Sequence, residues 1–172
     1  MLRHGQCISV KAIATDFPFD SQMRGIYTDF GQDKLALTKQ ASLLSYVIGL
    51  YMPCNTSWSL GDHVLMPMRM SNSAHWILCQ FDIQHMCLRV YNSYHKVVRK
   101  ALVLEAVKPF SDIIPRILFH TGFFEGKGIS EEDALKPLVV KMVPKLPQQN
   151  NMLDCFLKMF FYFHLTFKCV IV

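Results

Sequence analysis

Four residues in this sequence have the types and surroundings that thiol chemistry requires: Cys155, His75, Asn92 and Gln149. Cys155 follows the tract Gln148-Gln149-Asn150-Asn151 and lies in the first turn of a helix that the spacing predicts from about Met152. Asn150 or Asn151 can cap that turn, and the partial positive charge of a helix N-terminus favours thiolate over thiol. The stretch that follows, FLKMFFYFHLTF, is apolar nearly all round, which implies a buried and rigid support for the cysteine. Taken alone, a cysteine there also reads as a small buried residue of a core helix.

A thiolate nucleophile needs a base and a group to orient that base. His75 opens an apolar stretch and precedes Trp76, and Asn92 ends the next such stretch. If the two stretches are strands joined by the short QHM turn at 84–86, both side chains emerge at one end of a sheet. Asn92 can then accept a hydrogen bond from the imidazole and fix its tautomer. Singly, they read as a strand-end histidine and a turn asparagine. Gln149, six positions before Cys155, can supply an oxyanion-hole amide beside the Cys155 backbone N–H.

The elements that must position these groups follow from periodicity. Residues 1–34 alternate turn formers with short apolar pieces and assign no element firmly. Residues 35–52 read as a helix closed by Pro53. Residues 64–69, 75–83 and 87–92 read as adjacent strands, with Met66, Met68 and Met70 as core. Residues 97–119 read as helical, interrupted at Pro109 and Pro115. The tract GFFEGKGISEED reads as loop with a solvated helix start near Ser130, and 138–143 reads as a strand. This order of helix, antiparallel strands, helix, strand and helix predicts one α+β domain over residues 1–172.

These residues resemble the ubiquitin-like-protein-specific cysteine proteases, the SUMO proteases and their plant and transposon-associated relatives. The resemblance is carried by His75-Trp76, by Asn92 at the end of the next strand, and by Gln149-Asn150-Asn151-Met152-Leu153-Asp154-Cys155. It spans roughly residues 45–166 and is strongest over 58–93 and 147–160. It implies a papain-like fold, a small antiparallel-rich sheet packed against helices with the nucleophile at a helix N-terminus. It also implies that Cys155 is the nucleophile, His75 the general base and acid, Asn92 the orienting residue and Gln149 an oxyanion-hole donor. Trp76 would bind substrate, covering the channel through which a modifier's glycine-rich tail reaches the cysteine. The implied reaction is hydrolysis of a peptide or isopeptide bond after a SUMO-like modifier through a thioester, with no cofactor.

The sequence departs from that family at identifiable positions. Asn92 stands where the SUMO proteases usually carry Asp, and Phe156 replaces the glycine that normally follows the nucleophile. A second channel tryptophan is expected well upstream of His75, and Trp58 is too near in sequence to be it. The chain also ends sooner after the cysteine helix than the family does, so it reads as a shortened member. A domain that keeps the fold and a modifier-binding surface without turnover is the competing reading.

Composition narrows the alternatives. A hydrophobic fraction of 51% with 18% charged residues predicts a folded domain rather than a disordered one. The net charge of +5 has no long basic run behind it, which predicts no nucleic-acid partner and fits a mildly acidic protein partner. Cysteines at 7, 54, 79, 87, 155 and 169 show no framework spacing, and no secretory signal precedes them, so a reducing, nuclear or cytoplasmic setting is expected. Residues 156–172 carry Lys158, His164 and Lys168, too charged and short for a membrane span of about 20 apolar residues. Cys79, His85 and Cys87 lack a fourth ligand for zinc, and the GFFEGKGIS tract lacks phosphate-loop spacing, so neither metal nor nucleotide is expected.

Overall fold

The structure, a computed structural model, describes residues 10–31, 41–50, 56–70, 75–149 and 170–171. Its centre is a six-stranded sheet in the order β5-β4-β3-β2-β1-β6. The strands are β1 (Lys11–Ala14), β2 (His63–Arg69), β3 (Trp76–Asp82), β4 (Cys87–Tyr91), β5 (Val139–Met142) and β6 (Val170–Ile171). β3 pairs antiparallel with both β2 and β4, the latter through the expected QHM turn, while β1, β5 and β6 join in parallel. Pro67 is tolerated inside β2 because β1 pairs only with His63, Val64 and Leu65, so no ladder bond to β1 is lost at the proline.

Alternation along β3 assigns its two faces. Ile77, Cys79 and Phe81 enter the main core, whereas Trp76 and Leu78 join a smaller cluster with Ala12, Leu65 and Tyr91. The main core lies between the sheet and three helices: α1 (Phe17–Phe30), α2 (Ala41–Ile48) and α3 (Lys100–His120). Met66, Met68 and Met70 are buried in it. A short α4 (Glu131–Ala134) starts at Ser130, whose hydroxyl accepts the Asp133 N–H at 3.1 Å.

The structure adds two elements to the sequence reading and corrects two expectations. Residues 1–34 contain both β1 and α1; the latter is capped by Asp16, which accepts the Phe19 N–H at 3.2 Å. α1 buries Phe19, Met23 and Ile26 on one stripe amid polar residues. α2 stops at Ile48 rather than continuing to Pro53, because Gly49 takes a left-handed conformation (φ +79°) and turns the chain. α3 passes unbroken through Pro109 and Pro115. The lost backbone bonds are outweighed by a wholly buried stripe including Val103, Val107, Phe110, Ile114 and Ile117.

The cysteine helix expected from Met152 lies outside the described residues, as do Phe156, Lys158 and Lys168. β6 pairs with β1 through Lys11↔Val170 and Ala12↔Ile171, so the segment after the expected helix returns to the sheet edge. Among the described residues no helix is long and apolar enough to cross a membrane.

Candidate active site

The hairpin of β3 and β4 sets the first pair of groups. His75 immediately precedes β3 and Asn92 immediately follows β4, so antiparallel pairing brings them to one end of the sheet. His75 Nε2 and Asn92 Oδ1 are 2.9 Å apart. Neighbouring groups determine the proton on that bond. Asn92 Nδ2 donates to the Val98 carbonyl at 3.0 Å, and Asn92 Oδ1 also accepts the Tyr94 N–H at 3.0 Å. The amide is thereby held with its oxygen toward the imidazole, so Nε2 must be the donor and Nδ1 carries the basic lone pair. Both side chains are buried. Desolvation pulls the His75 pKa below its ordinary value, and the bond to Asn92 offsets part of that. A neutral imidazole with a fixed tautomer is the form a general base needs.

Gln149 is joined to the same region. Its N–H donates to the Ser93 carbonyl at 2.8 Å, and the Ser93 hydroxyl donates to Gln149 Oε1 at 2.8 Å. The carboxamide oxygen is thus satisfied, while Nε2 is buried and makes no hydrogen bond among the described residues. A buried amide donor in this state costs stability unless a ligand takes up its hydrogen. Adjacent Gln148 lies alongside, its Oε1 accepting the His95 N–H at 3.0 Å.

Trp76 is half-buried, and Phe17 lies against it with ring centroids 4.7 Å apart and planes at 51°. Phe17 is 44% exposed at the first position of α1. Its place is fixed by buried anchors on either side. Phe19 packs edge-on to Tyr46 and Trp58, and Asp20 accepts from Arg24 Nε at 2.9 Å and from the Arg69 N–H at 3.2 Å. Trp58 is a core residue, not a channel residue. Sequence reasoning missed Phe17 by seeking a tryptophan; the signal available was an aromatic following the Asp16 cap.

Cys155 lies outside the described residues, so the structure gives the setting of His75, Asn92, Gln149 and Trp76 alone. Cys79 and Cys87 are buried free thiols. Burial pushes the Cys79 thiol far up, which leaves it inert as a nucleophile. His85 is engaged with Asp82 at 2.9 Å, and among the described residues no cluster of His, Cys, Asp and Glu could hold a metal.

A family model described as the Ulp1 protease family, C-terminal catalytic domain, matches residues 56–168. Among solved structures, the SUMO protease Ulp1 with its catalytic cysteine oxidised to a sulfonic acid is similar at 15% identity and a TM-score of 0.56, over 91% of this chain and 59% of that one. The C-terminal Ulp1 protease domain in complex with Smt3, the yeast ortholog of SUMO, is similar at 16% identity and a TM-score of 0.53, over 91% and 58%. At such identities the likeness is one of fold, and the chain spans under three-fifths of the length of these structures. No curated protein matches.

Proposed function

Because this chain belongs to the Ulp1 protease family, we propose that it is a cysteine peptidase hydrolysing peptide or isopeptide bonds that follow the tail of a SUMO-like modifier. The observation that carries this reading is the His75–Asn92 hydrogen bond, which leaves Nδ1 as the basic atom of a buried, neutral imidazole. In the proposed cycle, Nδ1 takes the Cys155 thiol proton and the sulfur attacks the carbonyl carbon of the scissile bond. The oxyanion that forms accepts a hydrogen bond from Gln149 Nε2 and another from the Cys155 backbone N–H. Protonated His75 then gives its proton to the departing amine, leaving a thioester. Water, deprotonated by His75, attacks that thioester, and the thiol leaves with the proton returned.

Trp76 and Phe17, whose rings are in contact with centroids 4.7 Å apart, offer one aromatic surface along which a tail of glycines can lie. No group in this cycle calls for a metal or organic cofactor. The free thiols of Cys79 and Cys87 suit a reducing compartment, which supports a nuclear or cytoplasmic location.

The test is covalent capture by ubiquitin-like proteins carrying C-terminal electrophiles, read by intact mass. The expected result is a single adduct with a SUMO-like protein, lost in Cys155→Ser and retained in Cys79→Ser and Cys87→Ser. Capture surviving Cys155→Ser, or none on folded protein with any modifier, overturns the proposal.

A further inference from the structure

A cleft of about 230 Å3 opens beside Asn92, between the start of α3 and the segment that follows β5. Its basic side chains are His95, Lys100 and Lys145, and no acidic side chain is among the described residues that line it. The sequence explains the imbalance. No Asp or Glu occurs between Asp82 and Glu105 or between Asp133 and Asp154, the two tracts that form the cleft. Those tracts also carry Lys96, Arg99 and Lys141, all exposed. Among the described residues no ion pair engages Lys96, Arg99, Lys100, Lys141 or Lys145, whereas Lys108 and Lys136 elsewhere are paired with Asp112 and Asp133.

The start of α3 adds to the positive field. Lys100 begins α3, a 21-residue helix whose Arg99 cap makes no side-chain hydrogen bond and whose first turn holds no acidic residue. A helix N-terminus favours negative charge, so basic residues there leave its partial charge uncompensated.

We propose that this cleft docks an acidic peptide segment of the protein substrate. The inference rests on the proposed function for the occupant being a substrate. Asn92 lines the cleft and also accepts the His75 N–H, and Gln148 lines it next to Gln149. A segment held there is therefore adjacent to the reacting groups. Met142, Val143 and Leu146 give the cleft an apolar lining on which the stems of glutamate side chains can lie while their carboxylates reach the cations. A nucleic acid fits less well, because among the described lining residues no Phe, Tyr or Trp is present and the His95 ring alone could stack on a base. Docking this close to the scissile bond selects among conjugates sharing one modifier.

The experiment is fluorescence anisotropy with the full chain and three labelled probes: a ten-residue peptide with six glutamates, the same peptide with glutamines, and an oligothymidine of equal charge. Lys100→Glu/Lys145→Glu is compared with Lys127→Glu/Lys136→Glu, which makes the same charge change away from the cleft. We expect the glutamate peptide to bind best, the cleft variant to weaken it roughly tenfold or more, and the control variant to weaken it less than about threefold. Should the charge reversals unfold the chain, Lys100→Gln/Lys145→Gln makes the same comparison with a smaller loss. Equal binding of the glutamine peptide, equal losses in both variants, or tighter binding of the oligothymidine overturns the proposal. Peptide binding needs no turnover, so it succeeds or fails independently of capture at Cys155.

Discussion

Ser93 and Gln149 are joined by two hydrogen bonds of 2.8 Å, one from each residue, although 56 positions separate them in sequence. The pair aims the Gln149 amide by fixing its oxygen, which leaves only Nε2 to donate. Gln149→Ala should lower kcat roughly a hundredfold to a thousandfold with little change in KM, the usual consequence of removing one oxyanion donor. Ser93→Ala keeps the amide but frees it to turn, and one lost hydrogen bond of about 1 kcal/mol predicts a fall of roughly fivefold. Steady-state kinetics on a fluorogenic modifier substrate measures both. Equal losses in the two variants would contradict a positioning role for Ser93.

The depressed pKa of His75 predicts the acid side of the pH profile. Burial disfavours the imidazolium, so the ascending limb of kcat/KM should lie below the ordinary histidine value of 6.5. Asn92→Asp places a carboxylate against the ring, stabilises the imidazolium and should move that limb upward. The same substitution removes the Nδ2 donor to the Val98 carbonyl and should lower the melting temperature. A limb that stays in place, or moves down, would contradict the tautomer assignment.

The same shift has a stability consequence of defined sign. With the folded pKa below the unfolded one, the unfolded chain takes up the proton first as pH falls through 6.5. His75 therefore adds no penalty above that value and a growing one beneath it, complete once the folded pKa is passed. Urea unfolding should find a larger drop between about pH 7.5 and pH 5.5 in wild type than in His75→Gln.

Much of the site was legible because strand alternation and the hairpin turn are local signals. Short apolar runs rich in β-formers around Met66, Ile77 and Val90 mark β2, β3 and β4, and the QHM turn between the last two brings His75 and Asn92 together. What escaped depends on tertiary context. α1 is hidden because its buried apolar residues are only Phe19, Met23 and Ile26, with Asp20, Ser21, Gln22 and Arg24 diluting the stripe. Pro109 and Pro115 read as breaks because local rules do not count the apolar area that α3 buries. The basic cleft escapes notice because Lys100 and Lys145 lie more than forty positions apart, in two tracts of which neither is a continuous basic run.

Phe17 provides a test of the proposed tail channel that spares the chemistry. Its ring is 44% exposed and rests on Trp76, so removing it should disturb the fold little. Phe17→Ala should raise KM for a modifier substrate several-fold with kcat nearly unchanged, since the lost contact is made equally in ground and transition states. Phe17→Trp should restore it. A fall in kcat alone would argue that Phe17 acts through the fold and not through the substrate.

Gly49 carries the sharpest prediction on stability, and its failure would call for a different account of how α2 ends. The residue turns the chain at φ +79°, with its N–H bonding the Tyr46 carbonyl at 3.3 Å and the next N–H, of Leu50, bonding Ser45 at 2.9 Å. A Cβ there would meet the Ser57 backbone nitrogen at 2.5 Å and the Thr56 carbonyl carbon at 2.6 Å. Both are backbone atoms, which cannot swing aside as a side chain can. Gly49→Ala therefore combines a left-handed conformation, unfavourable by about 1 kcal/mol for alanine, with a clash that shifts the turn holding Trp58 in the core. The expected loss is about 2–4 kcal/mol by denaturant titration, against less than about 1 kcal/mol for Gly126→Ala, where the backbone is also left-handed (φ +71°) but nothing lies within 4 Å. Equal losses at the two glycines would assign the whole effect to backbone conformation and remove the contact with Ser57 from the explanation.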